Sequence, residues 1–312
     1  MLGETVGTIK DVLYVRFSVT DLQVQQQFLE NFGLKSEISN GLLIARGTDA
    51  SPYIYIAEQS NEPAFVSVGF AAESEAALRH IAATDGVQVE ANDLPGGGLI
   101  ARLTDPNGFS IEVVANLADS PLLTPASRSG LNDGVEKLRL GERVTFVDAD
   151  SLIKRLGHVV LMVTDFNETL EWYQARFGLL ISDEIVIDNE GKQETLGAFT
   201  RCNRGKKYVD HHTLFFINAD QAGFNHAAFE VTNWDALMSS HYALVKAGHR
   251  HSFGVGKHIL GSQTFDYWKD PDGFTLEHFT DGDLLNESFG PQKRGLEDLL
   301  GTHWGPDGMP GQ

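Results

Sequence analysis

Cysteine is almost missing from this 312-residue chain, where Cys202 is the only one. An intramolecular disulfide is therefore excluded, and a reducing cytoplasm is the expected setting. Basic residues are also scarce. Lys and Arg number 24 against 43 Asp and Glu, a net charge of −19. Such a surface repels phosphate backbones and anionic lipid heads, so neither nucleic acid nor a membrane surface is an expected partner. No apolar run approaches the roughly 20 residues of a spanning helix. The opening MLGETVGTIKDVLYV lacks the basic-then-apolar pattern of a secretory signal.

What the chain does have is an internal repeat. VLYVRFSVTDL, ending at Leu22, matches LGHVVLMVTDF, ending at Phe166. Each is an apolar strand pattern closed by Thr-Asp and followed by a helical pattern ending in Phe-Gly-Leu, with Gly33 and Gly178 at the helix C-terminus. AFVSVGFAAES from Ala64 matches GFNHAAFEVTN from Gly223, and a second amphipathic helix follows each, around Glu73–Ala83 and Trp234–Ala247. DPNGFSIE (Asp105–Glu112) matches DPDGFTLE (Asp270–Glu277) as a tight turn leading into a strand. The pattern predicts two α+β modules, 1–117 and 155–281. A Ser/Pro/Asp/Gly-rich linker (118–154) joins them, and a tail (282–312) lies over a surface.

The repeat also acts as a control, because chemistry that one half lacks stands out. His158 lies opposite Tyr14, His226 opposite Ser67, His212 opposite Tyr53, and Tyr267 opposite Arg102. Glu277 lies opposite Glu112, unchanged. Two imidazoles and a carboxylate on three strands, with open positions left over, form the facial set that suits non-haem Fe(II); Mn(II) takes similar ligands. Taken alone, a histidine on an apolar strand is more often a core residue than a ligand. Glu277 alone is no more diagnostic, since the first half keeps its counterpart, so the combination carries the reading. Alternation sends Glu277 and His278 to opposite faces.

At these residues the chain resembles the type I extradiol ring-cleaving dioxygenases of the vicinal-oxygen-chelate superfamily. LGHVVLMVTD, GFNHAAFEV and YWKDPDGFTLEHFTDGD resemble the segments carrying that family's metal ligands, which implies His158, His226 and Glu277. DHHTLFFI resembles the family's His-Thr strand and implies His212 as the acid–base histidine. Alternation alone does not separate it from His211. GKHILGSQTFDY implies His258 and Tyr267 as residues that hold the substrate edge, nine residues apart and with Tyr267 ten before Glu277.

The resemblance implies two tandem modules of paired βαβββ units. It also implies meta-cleavage of a catechol-type diol by dioxygen at Fe(II), and the acidic surface and paired modules are compatible with an expected homo-oligomer. Two other functions compete: a metal-dependent isomerase or transferase of the superfamily, and a non-catalytic ligand-sequestering protein. Tyr14 and Ser67 argue against a site shared between modules, and three ligand-type residues in register argue against sequestration. The acidic stretch 182–194 and the aromatics Phe199, Trp268 and Phe279 are candidate pocket walls, whereas His241, His249, His251 and His303 are expected to be solvated.

Overall fold

The computed structural model describes residues 8–125, 130, 132–143, 151–189 and 191–308. Parts of the expected linker, 126–129, 131 and 144–150, lie outside them. The first half runs β1 (Ile9–Val19), α1 (Leu22–Asn31), β2 (Lys35–Ser39), β3 (Leu42–Arg46) and β4 (Tyr55–Gln59). It continues with β5 (Ala64–Ala72), α2 (Glu75–Asp85), β6 (Val89–Ala91), β7 (Leu99–Thr104) and β8 (Ser110–Ala115). The second half repeats the order with β9 (Ile153–Val163), α3 (Phe166–Phe177), β10 (Leu180–Asn189), β11 (Lys192–Arg201), β12 (Val209–Asp210) and β13 (Leu214–Asn218). Then come β14 (Gly223–Val231), α4 (Trp234–Ala247), β15 (Arg250–His258), β16 (Thr264–Lys269) and β17 (Thr275–Thr280). The C-terminal segment adds β18 (Leu284–Leu285), β19 (Gln292–Arg294), α5 (Leu296–Leu300) and β20 (Thr302–Trp304).

The Thr-Asp that closes each opening strand starts the following helix. Asp21 accepts the N–H groups of Gln23 and Val24, and Asp165 accepts that of Glu168, satisfying donors that a first helical turn cannot pair internally. Gly33 and Gly178 follow at φ 99° and 68°, in the left-handed region that glycine enters without a Cβ clash.

Two sheets result. The first has eight strands ordered β2-β3-β4-β1-β5-β8-β7-β6, and the second ten, ordered β19-β10-β11-β13-β9-β14-β17-β16-β15-β20. In the first, β1 and β5 pair antiparallel, with parallel partners β4 and β8 outside them. The second does the same with β9 and β14, flanked by β13 and β17. Each sheet is thus two βαβββ units side by side, the α+β tandem architecture expected from the repeat. The C-terminal segment extends the second sheet, β19 along β10 and β20 along β15.

One continuous cluster of buried apolar side chains draws on both halves. Phe17 packs against Phe224 and Phe274, with ring centroids 5.2 and 4.7 Å away, and Phe65 stacks on Phe224 at 4.7 Å. Each Asp-Pro turn grips a helix of the other half: Gln25 Nε2 donates to Asp270 Oδ2 at 3.1 Å, and Tyr173 donates to Asp105 Oδ2 at 3.1 Å. Separate apolar clusters line one face of each sheet, around Tyr14 and Tyr53 in the first and around Val160, Phe199 and Phe215 in the second. Those faces hold the polar residues picked out by the repeat.

Candidate metal centre and active site

At the middle of the second sheet, β9, β14 and β17 lie side by side, with Ala228 opposite both His158 and Glu277. This register places His158, His226 and Glu277 together, all buried, with one donor atom of each within 4.8 Å of the others. His158 Nε2 and His226 Nε2 stand 3.3 and 3.2 Å from Glu277 Oε2. Those are ion-pair distances, yet among the described residues neither Glu277 oxygen has a hydrogen-bond partner of sound geometry. A carboxylate with 0% exposure and no donor is costly. A divalent cation between the three groups would remove that cost, so these residues fit a two-His, one-carboxylate metal. Burial pushes the Glu277 carboxyl up, but the two imidazoles outweigh it and hold the group well below the ordinary range.

The first sheet makes the contrast plain. There Glu112 Oε2 accepts hydrogen bonds from Tyr14 and from Ser67 Oγ (3.0 Å), and Arg102 Nε donates to Oε1 at 3.2 Å. Tyr14, Ser67 and Arg102 are the counterparts of His158, His226 and Tyr267. In one half the buried carboxylate is surrounded by donors, and in the other by imidazole nitrogens able to share a cation.

His226 is oriented by Asn225, whose Oδ1 lies 2.8 Å from Nδ1. With Nδ1–H donated there, Nε2 keeps its lone pair toward Glu277. The His212 ring sits 4.0 Å from that of His158. Burial, followed by the neighbouring His158 and His211, lowers its pKa well below the ordinary histidine value, so it is neutral near pH 7. His258 Nε2 meets the Tyr267 hydroxyl at 3.0 Å. Burial lowers His258 to about 4 and raises Tyr267 well above 10, with Glu277 adding to the tyrosine shift. Neutral His258 in its Nε2–H tautomer donates to the Tyr267 oxygen, which leaves the single hydroxyl proton of Tyr267 available to a ligand in the cavity.

A cavity of about 560 Å³, counting its mouth, gathers five of these six residues: His158, His212, His226, His258 and Tyr267. The sixth, Glu277, lies behind the two histidines with no exposed surface. Val160, Phe199, Phe215, Ile217 and Leu260 form apolar walls, and Leu299 of α5 closes one side. Of the three aromatics considered as walls, Phe199 lines the cavity and Phe279 supports the His158 ring at 5.2 Å. Trp268 does not line it. Alternation turns it to the opposite face, where it donates to Asp266.

His211 was the rival to His212, and the structure gives it a different place. Residues 211–213 lie between β12 and β13, so both rings are buried next to each other rather than on opposite faces. His211 Nε2 is 2.7 Å from Asp183 Oδ2, and its Nδ1 is 3.1 Å from His212 Nδ1. Burial would raise Asp183, but His211 and Arg294 outweigh it and keep the carboxyl below its usual range. An ionised Asp183 takes the Nε2–H of His211, and in the tautomer where His211 Nδ1 accepts from His212 Nδ1–H the two rings form a relay. His212 Nε2 is then left with a free lone pair. This relay had no signal in spacing, since its aspartate lies 29 residues before His212.

The expectation that His241, His249, His251 and His303 are solvated holds for His251 and His303, which are exposed, whereas His241 and His249 are half-buried. His241 and His251 converge on buried Asp266, and His249 meets Asn31 and the edge of Phe28. His278, on the other face from Glu277, stacks on Phe32 at 3.7 Å and donates to its carbonyl.

Residues 155–278 match the model of the Glyoxalase/Bleomycin resistance protein/Dioxygenase superfamily. Over 303 residues the chain is 26% identical to Metapyrocatechase 2 of Cupriavidus necator, covering 96% of this chain and 90% of that one. It is 28% identical over 135 residues to an iron-dependent extradiol dioxygenase of Rhodococcus jostii, covering 41% and 43%. Among solved structures, the Mn(II)-bound glyoxalase of Novosphingobium aromaticivorans superposes with a TM-score of 0.76 at 19% identity, over 97% of this chain and 93% of that one. The 2,3-dioxygenase LapB of a Pseudomonas species does so at 0.75 and 16%, over 94% and 100%. The resemblance to extradiol dioxygenases noted from the motifs thus extends along nearly the whole chain, and at these identities the structural neighbours speak for the fold.

Proposed function

We propose that this chain, built on the glyoxalase/dioxygenase superfamily fold, cleaves the ring of a catechol-type diol with dioxygen. It would use one Fe(II) held by His158, His226 and Glu277. The observation that carries this reading is the buried, donor-less Glu277 carboxylate facing two imidazole nitrogens, where Glu112 is fully bonded. Bound iron would supply Lewis acidity and a path for electrons from the diol to dioxygen, easing the reaction of a singlet diol with a triplet oxidant. Mn(II) would fit the same ligands, and metal analysis decides between them.

The chain's own residues do the rest. The apolar walls pack the substrate ring and exclude water. Neutral His212, with Nε2 unpaired, takes a proton from the diol and returns it when the dioxygen-derived oxygen needs one. Tyr267 donates to a substrate oxygen, its own position fixed by His258. Both atoms of dioxygen enter the product as the ring carbon–carbon bond beside the diol breaks. Among the described residues that line the cavity there is no lysine or arginine, so nothing there pairs a substrate carboxylate. Neutral catechols with apolar substituents are the favoured class over acid-bearing ones.

The decisive test is to load the protein with Fe(II) anaerobically and admit air with a panel of neutral and carboxylated catechols. Yellow ring-opened products and oxygen uptake, abolished by a chelator, are expected. No product from any catechol with one bound iron per chain would reject the proposal.

Two variants probe the supporting residues. Tyr267→Phe removes one hydrogen bond to the substrate, worth about 1 kcal/mol, and should lower kcat/KM by about fivefold with iron content unchanged. Asp183→Asn removes the anchor that fixes the His211 and His212 tautomers. Its kcat should fall by about tenfold, a fraction of a full acid–base contribution, with KM kept within about twofold. A KM effect without a kcat effect would place Asp183 in structure only.

A further inference from the structure

A second convergence of ligand-type side chains lies behind the cavity, on the face of the sheet that carries α4. Alternation along β16 sends Tyr267 to the cavity and Asp266 to the other side. Asp266 has 0% exposure. Its Oδ2 lies 3.0 Å from His241 Nδ1 of α4, and its Oδ1 lies 2.8 Å from His251 Nε2 of β15. One donor atom of each lies within 4.8 Å of the others. None of the three touches the cavity residues' chemistry.

The repeat that singled out the ring-cleaving site singles out this cluster too. Counting from the helix caps Ser74 and Asn233 pairs His241 with Ala82. Counting from the capping glycines Gly86 and Gly248 pairs His251 with Val89, and counting back from Asp105 and Asp270 pairs Asp266 with Ala101. All three counterparts are apolar, and Ala82 and Ala101 are buried. The first sheet shows that this helix–strand junction packs well without polar groups. A buried carboxylate with two imidazoles is therefore an addition that the fold does not require, and its desolvation must be offset by what it binds. Trp268 Nε1 donates to Oδ2 at 2.6 Å, so the carboxylate is already held in place without the histidines.

We propose that His241, His251 and Asp266 form a second divalent-cation site, distinct from the ring-cleaving centre. Two imidazole nitrogens and one carboxylate oxygen suit a borderline cation such as Zn(II) and are poor ligands for Ca(II) or Mg(II), which seek oxygen. The His251 side chain is 33% exposed and that of His241 18%, so solvent reaches the open coordination positions. The cation takes each ring through the nitrogen that faces Asp266. His241 carries its proton on Nε2 and His251 on Nδ1, freeing the two lone pairs that face Asp266. The cation pins α4 to β15 and β16, the strands that end in His258 and carry Tyr267.

The test is equilibrium dialysis against Zn(II) in the His226→Ala background, where the ring-cleaving centre is disabled. One equivalent of zinc is expected, with a raised melting temperature. Adding His251→Ala, a solvent-exposed change on β15, should weaken zinc binding at least tenfold and remove the thermal shift. His241→Asn, on α4, should do the same, the thermal shift of each variant being read against its own zinc-free melting temperature. In the iron-loaded wild-type protein, Zn(II) should add one equivalent without displacing iron. No bound zinc in His226→Ala, or zinc that persists undiminished in both added variants, overturns the proposal and leaves a hydrogen-bonded cluster only.

Discussion

Replacing Glu277 by glutamine should abolish iron binding and ring cleavage together. The side chain keeps its volume, so the packing around its fully buried position is preserved. What is lost is the anionic oxygen shared by His158 and His226, and with it the charge that offsets the cation. Iron content should drop from about one per chain to under a tenth. Turnover should fall by at least about a thousandfold, beyond what loss of a metal-supporting partner alone costs. A purely structural role for Glu277 predicts only a less stable fold. The imidazoles that hold the carboxyl below its usual range also stabilise the ionised group in the metal-free fold, so some loss of melting temperature is expected either way, and iron is the discriminating readout. Added Fe(II) should raise the melting temperature of wild type only. A variant that retains iron and turnover would sink the assignment of the centre.

His212→Phe should give the opposite split, with iron retained and chemistry lost. The ring fills the same space among Phe199 and His158, but nothing then takes or returns the substrate proton. A drop in kcat of about 10² to 10⁴ is expected, the usual worth of a positioned acid–base group. The sign of the pH effect follows from the chemistry. Because His212 is held neutral, wild type needs no external base near pH 7, whereas the variant depends on a diol already ionised in solution. The deficit should therefore shrink as pH rises toward the first ionisation of the catechol. A deficit that is constant with pH would place the loss in cavity shape instead.

Much of this site can be read in the chain because it lies on regular strands. Period-2 alternation and the repeat register assign His158, His226 and Glu277 to one face, and the structure brings them together. The same two rules locate Tyr14, Ser67 and Glu112 opposite them. The relay behind His212 was opaque for a physical reason. Residues 211–213 lie outside any strand, so alternation does not apply, and Asp183 reaches them from a neighbouring strand across a loop. The surface reading of His241 failed similarly, since its partner Asp266 on β16 becomes visible only once α4 is folded over the sheet. Leu299 enters the cavity wall through α5, in a segment too sparse in apolar residues to announce a packing role.

The apolar cluster that draws on both sheets has a thermodynamic consequence. Separating the halves would expose Phe17, Phe65, Phe224 and Phe274 at once, and would strip Gln25 and Tyr173 from their aspartate partners in the opposite turns. Neither half has a complete interior of its own. Repetition in the chain therefore does not mean independence in unfolding, and heat or denaturant should drive both halves through one cooperative transition, with calorimetric and van't Hoff enthalpies in agreement.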